Sequence, residues 1–303
     1  MKPLVLITAG DPGGIGPEVT VKALCHPLVQ RACRPLVIGE PSSLKQAGWT
    51  HRLGDLLALE SAEKHTLKRT PCPVNGQISF QAVQLGIKLA LQTRAPLVTA
   101  PISKQSWALA GVPFTGHTEL LSKMTGADGL MMFISGTVRC ALITEHYALA
   151  HLPLTQKRVE TKASHFVQAL KKLGIRNPKI ALCAVNPHAG DNGKFGTEEK
   201  EILIPSLNNL RRQGLRLEGP LPTDAAWLAH QKGRYDGLLC TYHDQALVGL
   251  KLTASTPPVH VTAGLPFLRT SPAHGTAFDI AGKNKADPQS MIQAILFACQ
   301  AKR

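Results

Sequence analysis

The chain has 303 residues, 44% of them hydrophobic and 18% charged, which is enough apolar material for one large core or two mid-sized ones and too much for a disordered polymer. No apolar run reaches the ~18 residues of a membrane-spanning helix, and Met1 to Thr8 reads as a strand running into Gly10 and Asp11 rather than as a leader. Lys and Arg (34) outnumber Asp and Glu (20) for a formal charge of +14, which favours anionic partners; the dispersed charge and the 5% aromatic content argue against nucleic acid.

In chain order, strand-like Pro3 to Thr8 precedes helix-like Pro17 to Leu24, and Leu36 to Gly39 precedes Ser42 to Ala47. Pro71, Cys72, Pro73, Val74, Asn75 and Gly76 read as a loop before an amphipathic helix from Ile78 to Thr93, followed by a strand from Pro96 to Thr99. Helix Gln156 to Leu173 leads to strand Lys179 to Val185, and Thr197 to Gln213 and Pro288 to Ala301 read as further helices, the last with Asp287 as N-cap. Leu215 to Leu217 is strand-like, and Asp224 after it is a helix N-cap or a ligand's neighbour. Repeated strand–helix alternation predicts an α/β fold with a mostly parallel sheet covered on both faces. Seven cysteines without a Cys-x-x-Cys pair suit reduced thiols and a cytoplasmic location.

Three apolar runs end in polar knots that each carry a histidine. Ile180 to Val185 stops at Asn186, Pro187, His188, Ala189, Gly190; Gly237 to Thr241 stops at Tyr242, His243, Asp244, Gln245; Cys140 to Thr144 leads on to His151. Ligands of open parallel sheets collect beyond the carboxyl ends of strands, and imidazole is the commonest side-chain ligand of a catalytic divalent metal, so His151, His188 and His243 are candidate ligands of one ion. His26, His51, His65, His146, His165 and His230 are read as surface or packing residues. The Gly-rich turn Gly10 to Glu18 is either an anion cradle or a tight strand–helix turn; it lacks the third glycine of a dinucleotide fingerprint. Lys104 lies past another strand end, Thr118 in Gly116 to Glu119 suits a helix N-cap, and Arg269 sits in a long irregular stretch, Thr262 to Asp279, where its fork suits phosphate or carboxylate.

Taken together, G-D-P-G-G-I-G-P-E, T-A-P-I-S-K, G-H-T-E, A-H-L-P-L, N-P-H-A-G, Y-H-D-Q and G-L-P-F-L-R-T-S, in that order from Gly10 to about Ser290, resemble the PdxA family, the 4-hydroxythreonine-4-phosphate dehydrogenases of vitamin B6 synthesis. The resemblance implies an isocitrate/isopropylmalate-dehydrogenase-like α/β fold, with residues 1–303 forming one catalytic chain of two interleaved subdomains and a cleft between them. It also implies a homodimer with active sites at the subunit interface, and oxidation of 4-phosphohydroxy-L-threonine by NAD(P)+ with a divalent metal (Zn2+, Mg2+ or Co2+). By position it places metal ligands at His151, His188 and His243, one of them from the partner subunit. Substrate contacts fall at His117, Thr118, Lys251 and Arg269, and at His260 where the family carries asparagine. Lys104, Asp244 or a metal-bound water is the candidate proton acceptor. Ala273 also departs from the family's aspartate, which keeps D-threonate or D-erythronate 4-phosphate as alternative substrates, and the region from His51 to Pro73 is short for the family.

Overall fold

In the computed structural model, which describes residues 2–59 and 68–300, the elements run in chain order: β1 (Leu4–Thr8), α1 (Gly16–Cys25), α2 (Pro27–Ala32), β2 (Arg34–Gly39), α3 (Pro41–Gln46), β3 (Asp55–Ala58), α4 (Pro73–Thr93), β4 (Leu97–Thr99), α5 (Lys104–Leu109), α6 (His117–Thr125), β5 (Leu130–Ser135), β6 (Val138–Leu142), α7 (Gln156–Lys172), β7 (Lys179–Cys183), α8 (Ile204–Arg212), β8 (Arg216–Leu221), α9 (Thr223–Gln231), β9 (Gly237–Cys240), α10 (His243–Thr253), β10 (Val259–Ala263), β11 (Arg269–Pro272) and α11 (Gln289–Cys299). Two units separate by their contacts, one of residues 2–129 with 265–300 and one of residues 130–264. His65 and the expected helix end at Ala301 lie outside the described residues.

The first unit carries five parallel strands in the order β3-β2-β1-β4-β11. Both faces of such a sheet are covered, so β1 and β4 are near-continuous apolar runs rather than alternating ones. Leu6, Val83, Ile87, Leu97, Leu120 and Phe267 pack around a wholly buried Trp107, whose indole N–H donates to Ser79 Oγ at 3.0 Å. The second unit orders its strands β10-β5-β6-β9-β7-β8, parallel from β6 to β8 and antiparallel where β5 meets β6 and β10. Cys140, Cys183 and Cys240 behave there as small hydrophobes among Leu142, Leu238 and Leu250.

Several elements differ from expectation for identifiable reasons. Pro73 starts α4 instead of ending a loop: its missing N–H is an orphan at the first helical position anyway. Gly76 then belongs inside the helix, because a Cβ there would lie 2.0 Å from the Ser106 carbonyl oxygen of α5. Before α8 the chain makes a π-turn, Glu199–Leu203, ahead of Pro205, which has no N–H to continue a regular ladder. The stretch from Thr262 to Asp279 is not wholly irregular, since it completes β10 and contains β11. Pro288, not Asp287, occupies the N-cap of α11, although the Asp287 carboxylate still accepts from the Gln289 N–H at 2.9 Å. Among the described residues no helix is long and apolar enough to cross a membrane.

His230 is buried on α9 with both ring nitrogens engaged: Nδ1 lies 2.8 Å from the Tyr235 carbonyl, and Nε2 accepts from the Arg139 N–H at 3.2 Å. That pairing requires a neutral ring, and burial pulls its pKa below the ordinary histidine value of 6.5. A depressed folded-state value means that the unfolded chain binds the proton more readily, so this contribution is complete above about pH 6.5 and is lost as pH falls. The urea midpoint is therefore expected to drop between about pH 7.5 and 5.5, with a shallower drop in His230→Gln. An identical slope in the variant would show that the ring is not held neutral.

Candidate functional site

In the second unit the strand ends are knotted by one buried amide. Gln245 Oε1 accepts from the Thr241 N–H (2.7 Å) and hydroxyl (3.0 Å), while Nε2 donates to the Ala184 carbonyl (2.6 Å) and Thr223 Oγ1 (2.7 Å). The group thereby joins the ends of β7 and β9 to the start of α9. Thr144, just past β6, extends the knot by donating its hydroxyl to the Thr241 carbonyl at 2.6 Å.

Two residues beyond each of these threonines stands a histidine, in Thr144-Glu145-His146 and Thr241-Tyr242-His243, and the two rings lie 5.1 Å apart. His243 opens α10, and its Nδ1 is 2.7 Å from Asp244 Oδ1. A carboxylate on Nδ1 fixes the tautomer that leaves Nε2 to face a ligand, the usual support of a metal-binding histidine. Asp244, one of the two residues expected as proton acceptor, orients His243 through this contact.

His188 is exposed on a 3-10 segment, Pro187–Gly193, in which His188, Ala189, Asp191 and Asn192 all take positive φ between 43° and 58°. Non-glycine residues persist there only when their surroundings over-determine them. The surroundings are supplied by buried Glu199, whose carboxylate accepts from the N–H groups of Val185 and Asn186, both at 2.8 Å, and from the Asn186 side chain at 2.9 Å. His151 is exposed at the end of another short 3-10 turn, Leu149–His151, and makes no ring contact among the described residues. Lys251 is exposed in the last turn of α10, two turns or about 12 Å of rise from His243. His260 is half-buried on β10, its ring stacked on Phe133 at 5.1 Å. Asp224 is exposed in the first turn of α9 and caps nothing, since Pro222 holds the N-cap. Among the described residues no three His, Cys, Asp or Glu side chains close on one point.

The first unit resolves the Gly-rich turn as a packed corner. A Cβ on Gly10 would lie 2.3 Å from the Pro101 carbonyl oxygen, and one on Gly16 2.3 Å from that of Ala9. Buried Asp11 accepts from the Gly13 N–H and the Ser106 hydroxyl, both at 2.8 Å, and burial raises its pKa. The Ile15 N–H goes to the Thr276 carbonyl at 2.8 Å. With these amides spent inside the protein, the tight-turn reading of the motif fits better than the anion cradle.

Past β4, Lys104 begins α5 with its stem 3.4 Å from where a Cβ on Gly116 would stand. Gly116 is the N-cap of α6, so Thr118 is not the cap; His117 and Thr118 occupy its first turn, and the His117 ring lies 5.9 Å from Trp107. Arg269 is 2% exposed on β11 and donates to Thr99 Oγ1 from Nε (3.1 Å) and Nη2 (2.6 Å). Burial lowers its pKa to about 9, still above neutrality, so it brings a positive charge into the unit's interior.

Residues 31–298 match the profile of the family described as pyridoxal phosphate biosynthetic protein PdxA. The chain belongs to the PdxA family. All of it aligns, at 37% identity, with 96% of a 4-hydroxythreonine-4-phosphate dehydrogenase of Geobacter metallireducens. A PdxA-family protein of Symbiobacterium thermophilum, provisionally named D-threonate 4-phosphate dehydrogenase, is 36% identical over 97% of this chain and 95% of its own length. The crystal structure of a Klebsiella pneumoniae 4-hydroxythreonine-4-phosphate dehydrogenase superposes with a TM-score of 0.90 at 32% identity, over 100% of this chain and 99% of that one. A β-decarboxylating dehydrogenase of Thermococcus kodakarensis, 15% identical with a TM-score of 0.53 over 97% of this chain and 81% of its own, shares the fold alone. The α/β fold is accordingly of the isocitrate/isopropylmalate-dehydrogenase type expected from the PdxA motifs.

Thr-x-His recurs at the ends of two strands, β6 and β9, that pair in parallel, and that local signal brings His146, expected as a surface or packing residue, beside His243. Gln245 carried no such signal, because a glutamine's hydrogen bonds are set by tertiary neighbours. Gln245→Ala strands the buried Thr241 N–H and Ala184 carbonyl and is expected to destabilise the fold by roughly 2–4 kcal/mol. Chemical denaturation measures this; a loss under about 0.5 kcal/mol would show that water or repacking replaces the amide.

Proposed function

We propose that this PdxA-family chain is a metal-dependent NAD(P) dehydrogenase that oxidises 4-phosphohydroxy-L-threonine to its 3-keto acid, which loses CO2 to give 3-amino-2-oxopropyl phosphate. The observation that carries the reading is His243, tautomer-locked by Asp244 and ring-to-ring with His146, in a chain that aligns end to end with dehydrogenases of that name.

When bound, a divalent cation (Zn2+, Mg2+ or Co2+) would supply Lewis acidity to the secondary alcohol, and NAD(P)+ would take up its hydride. His243 and His146 are the paired imidazoles this chain offers a metal. His188, held out on its strained turn by Glu199, is the third donor, contributed across a homodimer; within the described residues of one chain no third ligand reaches the pair. His151, five residues beyond His146, is the competing assignment for the pair. Exposed Val248 and Leu252, one helical turn apart on α10, and exposed Leu149 support a second copy as partner.

Arg269 is the phosphate anchor. Its planar fork, fixed by Thr99, suits a bidentate anion and keeps its charge at neutral pH. Lys251 is a further candidate cation for an anionic group, His117 and Thr118 orient the substrate at the start of α6, and Lys104 accepts the alcohol proton. Seven free thiols fit a cytoplasmic setting. A D-threonate 4-phosphate activity is the second reading, favoured by His260 in place of the family's asparagine and by the Symbiobacterium thermophilum relative.

The test compares NAD(P)+ reduction on 4-phosphohydroxy-L-threonine, D-threonate 4-phosphate and D-erythronate 4-phosphate, before and after chelation with metal add-back. Turnover of the amino acid phosphate, abolished by chelation, is expected; activity only on a deaminated acid selects the second reading, and chelator-resistant activity sinks the metal role. His146→Ala is expected to lose bound metal and at least about a hundredfold in kcat/KM, while His151→Ala keeps both. The reverse result would move the ligand back to His151.

A further inference from the structure

Away from the candidate catalytic groups, the amino-terminal ends of the first unit's strands border a cavity of ≈ 1110 Å³. It lies where β1 and β2 begin, with Leu4 paired to Arg34, whereas Lys104 follows the carboxyl end of β4 in the same parallel sheet. Leu24 and Val29, each 1% exposed, and half-buried Leu53 form its apolar wall. Cys33 also lines it, but its thiol is engaged with the Val29 carbonyl at 3.7 Å.

Three cations from separate stretches of the chain share this cavity: Lys2 before β1, Arg34 at the start of β2, and Arg52 in the 3-10 turn His51–Leu53. Gly54 brings the last of them in. It takes positive φ, and a Cβ there would stand 2.7 Å from the Pro35 carbonyl oxygen, so the turn lies directly against the start of β2. Lys2 Nζ donates to the Gln30 carbonyl at 2.7 Å, which fixes the ammonium and uses one of its three donors. The side chains of Arg34 and Arg52 are exposed and make no hydrogen bond or ion pair among the described residues. Like charges gathered over an apolar wall raise the local potential, and no carboxylate among the described lining residues offsets it.

Two guanidinium forks and an ammonium exceed what a carboxylate, with its single charge, would neutralise. A phosphate monoester carries about two negative charges at neutral pH, and its oxygens accept from the forks bidentately. The apolar wall adds a second requirement, because inorganic phosphate alone would leave it in water. The volume, at the upper end for small-molecule pockets, leaves room for a ring or short chain beside the phosphate. We propose that this cavity is a binding site for a phosphate monoester with an apolar body, its phosphate held by Arg34, Arg52 and Lys2 and its body laid against Leu24, Val29 and Leu53. The ligand class differs from the substrate of the proposed reaction, whose body is a polar amino acid.

The test is a calorimetric titration of the full-length protein with 1-naphthyl phosphate, against inorganic phosphate and 1-naphthol, each of which lacks one half of the proposed ligand. The probe is expected to bind at least about tenfold more tightly than either control, and less tightly as salt is raised. Arg34→Glu/Arg52→Glu, at two exposed positions and checked for folding by thermal melts, should weaken it by at least about tenfold. Arg34→Gln/Arg52→Gln, which removes the charges without reversing them, should weaken it by a smaller factor. Either control matching the probe, or unchanged affinity in both charge variants, overturns the proposal. So does displacement of the probe by 4-phosphohydroxy-L-threonine, which would put it in the substrate's own phosphate site.

Discussion

A single side-chain amide, that of Gln245, ties the ends of β7 and β9 to the start of α9 in the second unit. Its oxygen accepts twice and its nitrogen donates twice, so all four of its hydrogen-bonding positions are used between β7, β9 and α9. In a buried setting a saturated amide rigidifies its neighbours, whereas a half-satisfied one would destabilise them. Thr144 joins the same network from β6, and the residues that follow these anchors carry His146, His188 and His243. The positions of His146 and His243 thus follow from strand-end hydrogen bonding, whereas His188 depends in addition on the turn held by Glu199.

The first unit uses a buried carboxylate for a comparable task with the opposite outcome. Asp11 takes up the free amides of the Gly-rich turn and the Ser106 hydroxyl, which welds the end of β1 to α5. Its burial disfavours the charged form, and the hydrogen bonds it accepts offset that only in part. The glycines are required because backbone from neighbouring elements presses against them, as the Pro101 carbonyl does at Gly10. What looked in sequence like a place for an anion is filled by the protein's own carboxylate, and the cation buried in this unit is Arg269 on β11.

Much of the architecture was legible in the sequence because strand–helix alternation and buried apolar runs are local signals. The limits of β1, α7 and β7 follow from them nearly to the residue. The failures cluster where tertiary approach overrides local chemistry. Asn75 and Gly76 look like turn residues, yet Gly76 lies inside α4 because α5 leaves no room for a side chain. Arg269 reads as a loop cation but is a strand residue, since β11 pairs with β4, which is distant in the chain, through Arg269 with Leu97 and Thr270 with Val98. At the site, His243 was visible from its strand end and polar neighbours. His146 stands beside it because two Thr-x-His segments face each other across paired strands, while His151 ends the separate turn Leu149–His151.

The electrostatic state of each unit follows from the same geometry. His243 starts a helix and holds the Asp244 carboxylate against its Nδ1, so the geometry fixes Nε2 as the ring nitrogen that faces a ligand. Arg269, by contrast, has lost much of its basicity to desolvation and still carries a full charge at neutral pH, because a guanidinium begins so high. Within the first unit that fixed fork is matched to a bidentate anion such as a phosphate, whereas a neutral alcohol would make no use of its charge.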